Sequence, residues 1–143
     1  MQIARPPVDV WSAIADYAFD SEWRDGLREM TPDPPGPPGL GTKVREVVRS
    51  SGRDYVAVCV VTELDPGVAY RFAGEGTIGG LEGGRAVRPD AAGGGAVFTY
   101  TIEMQPAGGM RLLSPVLGPM VRSGLKKDLA RLKDLLEDGR GPA

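Results

Sequence analysis

The hydrophobic pattern changes period twice along this chain. Val10, Trp11, Ile14 and Tyr17 recur at the three- and four-residue steps of one helix face. Pro6 and Pro7 suit the first helical positions, where a missing N–H matters least. Asp20 or Ser21 can cap a second short helix through Trp23, and Gly26 can end it. "LREM" then leads into "TPDPPGPPGLGTKV", residues 31–44, which has no period. Beyond it the pattern alternates, predicting extended segments near residues 42–50, 54–64, 68–74, 84–89 and 96–105. Ser51-Gly52, Asp65-Pro66-Gly67, Gly79-Gly80, Gly83-Gly84 and Gly93-Gly94-Gly95 supply turns between them. Such short connections imply antiparallel hairpins. In the last segment Phe98, Tyr100, Ile102 and Met104 share one face, expected to point inward, and Val97, Thr99, Thr101 and Glu103 the other. The facing of 42–50 is not fixed by its pattern. The helical period then returns through Leu113, Leu117, Met120 or Val121, Leu125, Leu129, Leu132 and Leu136. That stripe predicts a helix over 110–137, kinked where Pro115, Gly118 and Pro119 crowd its first third.

The order is helix pair, antiparallel sheet, long helix. The final stripe is the element long enough to cover the sheet's apolar face. The chain of 143 residues fits one domain. Cutting it at Pro38 would leave about 37 residues upstream, too few to fold without disulfides or metal. The proline stretch therefore reads as a stiff crossing inside a single α+β domain spanning 1–143.

Composition narrows the chemistry. There is no histidine, which removes Ser-His-Asp and Cys-His machinery and the usual proton shuttle. No metal site or cofactor is expected. The one cysteine, Cys59, lies in the apolar run Val56–Val61 and reads as a core residue. Net charge is −2, and the basic residues near the C-terminus alternate with Asp128 and Asp134, so no nucleic-acid footprint is expected. No apolar run approaches a membrane span. Pro6 and Pro7 interrupt any signal-peptide core, which points to the cytoplasm.

Five stretches in order, "IARPPVDVWSAIAD", "GLGTKVREVV", "VVTELDPGVAYRF", "GGAVFTYTIEMQP" and "DLARLKDLLE", resemble polyketide cyclase/dehydrase-type members of the START-like (SRPBCC) superfamily. The resemblance covers nearly the whole chain. It implies a helix-grip fold, with a curved antiparallel sheet wrapped around the C-terminal helix and two short helices closing one end. It also implies a cavity between sheet and helix for a lipid, a polyketide or another apolar molecule. Members usually carry a full edge strand before the first motif, whereas only Met1 to Arg5 stand there in this chain. The edge strand is either stunted or begins upstream, and the 96–105 edge is expected to be exposed.

With a cavity implied, Phe98, Tyr100 and Met104 on the last strand and Leu113, Leu117 and Met120 on the helix become its apolar wall. Tyr70 and Phe72 join them from another strand, and Trp23 stands between packing and lining the entrance. The plainer reading is that all of these fill a solid core. Tyr100 is the polar candidate, its ring packed and its hydroxyl facing a ligand. If Val44, Glu46 and Val48 face inward, Glu46 is a carboxylate in an apolar pocket with a raised pKa; otherwise it is a solvated strand charge. "GEGTIGG", residues 74–80, lacks the context of a phosphate loop and reads as a flexible hairpin bordering the cavity. No catalytic set is named. The leading expectation is binding of a small hydrophobic molecule. The alternative is a polyketide aromatase/cyclase catalysing aldol cyclisation and dehydration, and a third is a module that takes a protein segment in its groove. The exposed 96–105 edge makes a second copy of the chain a candidate partner, as in a homodimer, or else an upstream segment.

Overall fold

The structure is a computed structural model describing residues 1–142, the side chains of Leu113, Ser114, Val116 and Leu117 excepted. Helix α1 spans Pro7–Ile14, with Pro6 at its N-cap. A 3₁₀ turn at Tyr17–Phe19 leads into the single helical turn α2, Asp20–Trp23. The strands are β1 Gln2–Ile3, β2 Leu27–Asp33, β3 Lys43–Ser50, β4 Arg53–Asp65, β5 Ala69–Gly76, β6 Gly79–Pro89 and β7 Ala96–Pro106. They form one antiparallel sheet in the order β1-β7-β6-β5-β4-β3-β2. A 3₁₀ turn at Gly108–Leu113 precedes the long helix α3, Ser114–Glu137, which has Pro119 inside it. This is the expected α+β helix-grip arrangement.

Two expectations are corrected. Residues 27–33 are not a lead-in to the proline stretch; they form β2, paired with β3 from Leu27↔Val48 to Asp33↔Lys43. Pro32 obscured the strand, and it is tolerated because β2 lies at the sheet's edge. The proline stretch is thus the loop of a hairpin, β2 to β3. Likewise Gly79-Gly80 and Gly83-Gly84 are not turns but part of β6, and the β5–β6 turn sits at Thr77-Ile78. A Cβ on Gly83 would stand 2.1 Å from the Thr101 carbonyl oxygen and 3.0 Å from a Phe72 ring carbon. Glycine there permits a close approach of backbones that no side chain would allow.

At the far edge, Gln2 and Ile3 pair with Val97 and Ala96. The terminal ammonium of Met1 donates to the Phe98 carbonyl, and the Phe98 N–H donates to the Met1 carbonyl, both at 2.8 Å. From Thr99 to Pro106 the outer side of β7 carries no strand among the described residues.

The core gathers at one end. Ile3, Val10, Ile14, Trp23, Phe98 and Leu132 are all at most 1% exposed, with Val61, Tyr70, Val87 and Leu136 beside them. Through this core runs a buried ion pair. Arg85 on β6 donates to both carboxylate oxygens of Asp20 at the start of α2, at 3.0 and 2.5 Å. It also donates at 2.8 Å to the Ile14 carbonyl, which ends α1 and has no intrahelical partner. The guanidinium carbon lies 5.2 Å from the centre of the Trp23 ring and 4.8 Å from that of Tyr100. Burial disfavours this charge, but the Asp20 carboxylate together with Tyr70 and Tyr100 overcomes it and holds the Arg85 pKa above its ordinary value.

Removing one partner of such a pair leaves a buried charge uncompensated. Asp20→Asn should therefore lose about 3–5 kcal/mol in urea unfolding, and the double replacement Asp20→Leu with Arg85→Met should recover most of it. An unchanged midpoint for the single variant would contradict the pair's role. Leu132→Ala should cost about 2–5 kcal/mol. Leu125→Ala, seven residues nearer the start of α3 and only half-buried, should cost clearly less; equal losses would show the helix docked evenly along its length.

Candidate ligand cavity

Helix α3 is held at its C-terminal half and stands away from the sheet at its first half. Leu132 and Leu136 are buried, whereas Met120 is 50% exposed. Two further contacts fix the stand-off. Arg131 donates at 2.9 Å to the Trp23 carbonyl at the end of α2, and the Asp25 N–H donates at 3.1 Å to Asp128. Asp128 is half-buried, and burial pushes its carboxyl above the ordinary range.

The space left beneath α3 is a cavity of about 320 Å³. The alternation of β7 supplies one wall, with Tyr100, Ile102 and Met104 facing in. Val48 of β3, Val56 and Ala57 of β4, Phe72 of β5, and Ile78 and Leu81 at the β5–β6 hairpin continue it. Met120, Val121, Gly124 and Leu125 of α3 close it. A second space of about 560 Å³ adjoins it, between the outer part of β7 (Tyr100 to Pro106) and Gly118, Val121, Arg122 and Leu125. The two share Tyr100, Ile102, Met104, Val121 and Leu125, so the hollow reaches the open edge of β7.

One end is polar. Arg24, just past α2, pairs with Glu46 of β3 and lies 3.4 Å from Asp20. Both Arg24 and Glu46 are largely buried, and both line the cavity. Burial opposes the Arg24 charge, but Tyr100, Glu46 and Asp20 together overcome it and hold its pKa above the ordinary value. The Tyr100 hydroxyl has no hydrogen-bond partner among the described residues, and its ring packs edge-on against Trp23 and Phe98 at 6.2 Å each. The arrangement is an apolar box with a phenol and a neutralised ion pair at one end.

Of the residues expected at the site, Glu46, Phe72, Tyr100, Met104 and Met120 come together on the cavity wall. Trp23, Tyr70 and Phe98 do not. They are 0%, 3% and 1% exposed and belong to the solid core, because α2 and the docked half of α3 cover that end of the sheet. The expectations placed on Leu113 and Leu117 fall outside the described residues. Val44 is buried and Glu46 and Val48 line the cavity, which fixes the facing of β3. Glu46 is nevertheless not a lone carboxylate in an apolar pocket, since Arg24 reaches it from the helix pair. Sequence reasoning missed Arg24; its signal was the Asp20–Arg24 spacing of four, which places both on one side of a helical turn. It also missed Ile102, Val121, Gly124 and Leu125 as wall residues. Cys59 is buried, and burial, with Glu46 adding to it, pushes its thiol up to about 11, so it stays protonated at neutral pH. Among the described residues no cluster of acidic or thiol groups could hold a metal, and no helix is long and apolar enough to cross a membrane.

Comparison with known proteins places this geometry. No curated protein matches the chain. Among solved structures it is similar to TTHA0849 from Thermus thermophilus, with a TM-score of 0.77 at 18% identity over 94% of this chain and 91% of that one. It is also similar to a conserved protein from Geobacillus kaustophilus (TM-score 0.72, 19% identity, 94% and 90% covered). DynU16, a protein in the dynemicin biosynthetic locus, matches with a TM-score of 0.67 at 17% identity over 99% of this chain and 46% of that one. At these identities the likeness is one of fold. The family model described as polyketide cyclase/dehydrase and lipid transport matches residues 1–137, and it supports a role in ligand binding or cyclisation in general. With a match of that extent and this strand order, the chain belongs to the START-like polyketide cyclase/dehydrase and lipid transport family.

Proposed function

We propose that the protein binds a small hydrophobic molecule, a lipid or a polyketide-like metabolite, in the cavity between β7 and the first half of α3. The observation that carries this reading is the cavity itself. It is about 320 Å³, at the lower end of small-molecule pockets, and its wall is apolar apart from one polar end. Gly124 supports it. A glycine inside a helix costs about 0.5–1 kcal/mol relative to alanine, and an added Cβ there would meet no atom within 4 Å. Packing therefore does not require this glycine, and its bare backbone forms part of the cavity wall.

The second reading is an aromatase/cyclase, favoured by one observation: the Tyr100 hydroxyl, Arg24 and Glu46 line the same cavity and could orient and polarise a carbonyl there. The match over residues 1–137 supports taking 1–143 as one working domain. The outer side of β7 from Thr99 to Pro106, unpaired among the described residues, suits a second copy, with only Glu103 as a charge along it.

Native mass spectrometry of freshly purified protein should show an apolar small molecule bound one to one, and the uncharged dye Nile red should bind with enhanced fluorescence. Gly124→Leu should weaken dye binding at least tenfold (about 1.4 kcal/mol) without lowering the melting temperature. Unaltered dye affinity in that variant, with its fold intact, would place the dye elsewhere. Sedimentation over a range of concentrations should show a dimer forming as concentration rises; a monomer throughout would refute pairing through β7.

A further inference from the structure

The charges around the cavity's polar end select the ligand's head. Arg24, Glu46, Asp20 and Arg85 form one chain of alternating sign, two guanidiniums against two carboxylates. Of the other charged residues on the wall, Arg49 faces Asp54 at 3.1 Å and Asp128 lies 3.7 Å from Arg131. Asp25, also on the wall, has no cationic side chain in salt-bridge contact among the described residues. At this polar end an incoming carboxylate would therefore meet no uncompensated cation and one anion in excess; Arg122 lines only the adjoining space beside β7. It would lose its water in a largely apolar space with no charge to replace it. A neutral oxygen meets the opposite situation. Arg24 uses only part of its five N–H donors on Asp20, Glu46 and the Met30 sulfur. The Tyr100 hydroxyl has both a donor and acceptor sites without partners among the described residues. A ketone or ester carbonyl can accept from either group, and an alcohol can also donate to the phenol oxygen.

Resting on the binding reading above, we propose that the cavity takes apolar molecules whose polar end is an uncharged hydroxyl or carbonyl, and that Glu46, by neutralising Arg24, is the residue that excludes carboxylates. Glu46 thus acts as a specificity determinant: it occupies the cation that a fatty-acid head would otherwise use. Its removal leaves Arg24 and Arg85 sharing Asp20 alone, and the polar end becomes a carboxylate site.

The test uses four ligands with the same ten-carbon chain, 1-decanol, methyl decanoate, decanoate and decylammonium, each displacing Nile red from the full chain at neutral pH. On the native protein the alcohol and the ester should bind at least tenfold more tightly than decanoate, with decylammonium, which meets the unpaired Asp25, falling between them. In Glu46→Gln, the affinity of decanoate relative to that of 1-decanol should rise at least tenfold, about 1.4 kcal/mol. Decanoate binding the native protein as tightly as 1-decanol would overturn the proposal, as would a folded Glu46→Gln in which the two affinities keep their native ratio. The comparison of ester with acid needs no variant, so a misfolded Glu46→Gln leaves it decisive. If Nile red binds but none of the four displaces it, the head-group inference fails. If neither the dye nor any of the four binds, the binding reading itself fails, and this inference with it.

Discussion

A guanidinium taken fully out of water must have a carboxylate beside it, and the architecture is organised around the place where Arg85 meets Asp20. Arg85 comes from the middle of the sheet and Asp20 from the first residue of α2, so the pair joins the helical segment to β6. Its third hydrogen bond ends α1 at Ile14, and the rings of Trp23 and Tyr100 pack against its guanidinium. Asp20 then contacts Arg24, and Arg24 reaches Glu46 on the cavity wall. One continuous chain of charges therefore runs from the densest part of the core to the polar end of the hollow. On the proposed reading, stability and ligand recognition draw on the same groups.

The molecule divides along the length of α3. Where Leu132 and Leu136 dock, the interior is filled by aromatic and aliphatic side chains that leave no room for a ligand. Seven or more residues earlier, the same helix carries Gly118, Gly124 and a half-exposed Met120 over an apolar but unfilled sheet face. Unfilled apolar space is destabilising in proportion to its volume. The buried half of α3 offsets that loss, and a bound molecule would offset it further by mass action. The short β1 belongs to the same division: it covers β7 only at the solid end, by Ala96 and Val97, and leaves the edge beside the hollow open.

Much of this was legible from periodicity. The alternation Phe98, Tyr100, Ile102, Met104 gave the inward face of β7 correctly, and the stripe through Leu132 and Leu136 identified the helix that covers the sheet. What periodicity could not convey is depth along a face. Phe98 and Tyr100 are two residues apart on one side of one strand, yet one is core and the other is cavity wall, because α3 diverges from the sheet between them. The misplacement of Trp23 and Tyr70 has the same cause. Local chemistry hid the rest: Pro32 disguised an edge strand, and glycines that permit close backbone approach in β6 looked like turns. Arg85 fell inside the expected strand 84–89, and nothing in the alternation there marked it as the residue that anchors the helices to the sheet.

On the binding reading, an apolar molecule lies between β7 and the first half of α3 with its neutral polar end at Tyr100 and Arg24. The most direct measurement is a set of intermolecular nuclear Overhauser effects between 1-decanol and the methyl and ring protons of the protein. Contacts are predicted from the alkyl chain to Ile102, Met104, Val121 and Leu125, and from the CH₂ next to the hydroxyl to the ring of Tyr100, with none to the core residues Ile14 and Val87. Contacts confined to exposed apolar residues such as Val8 and Leu40, or an alkyl chain inserted among the core residues, would contradict it.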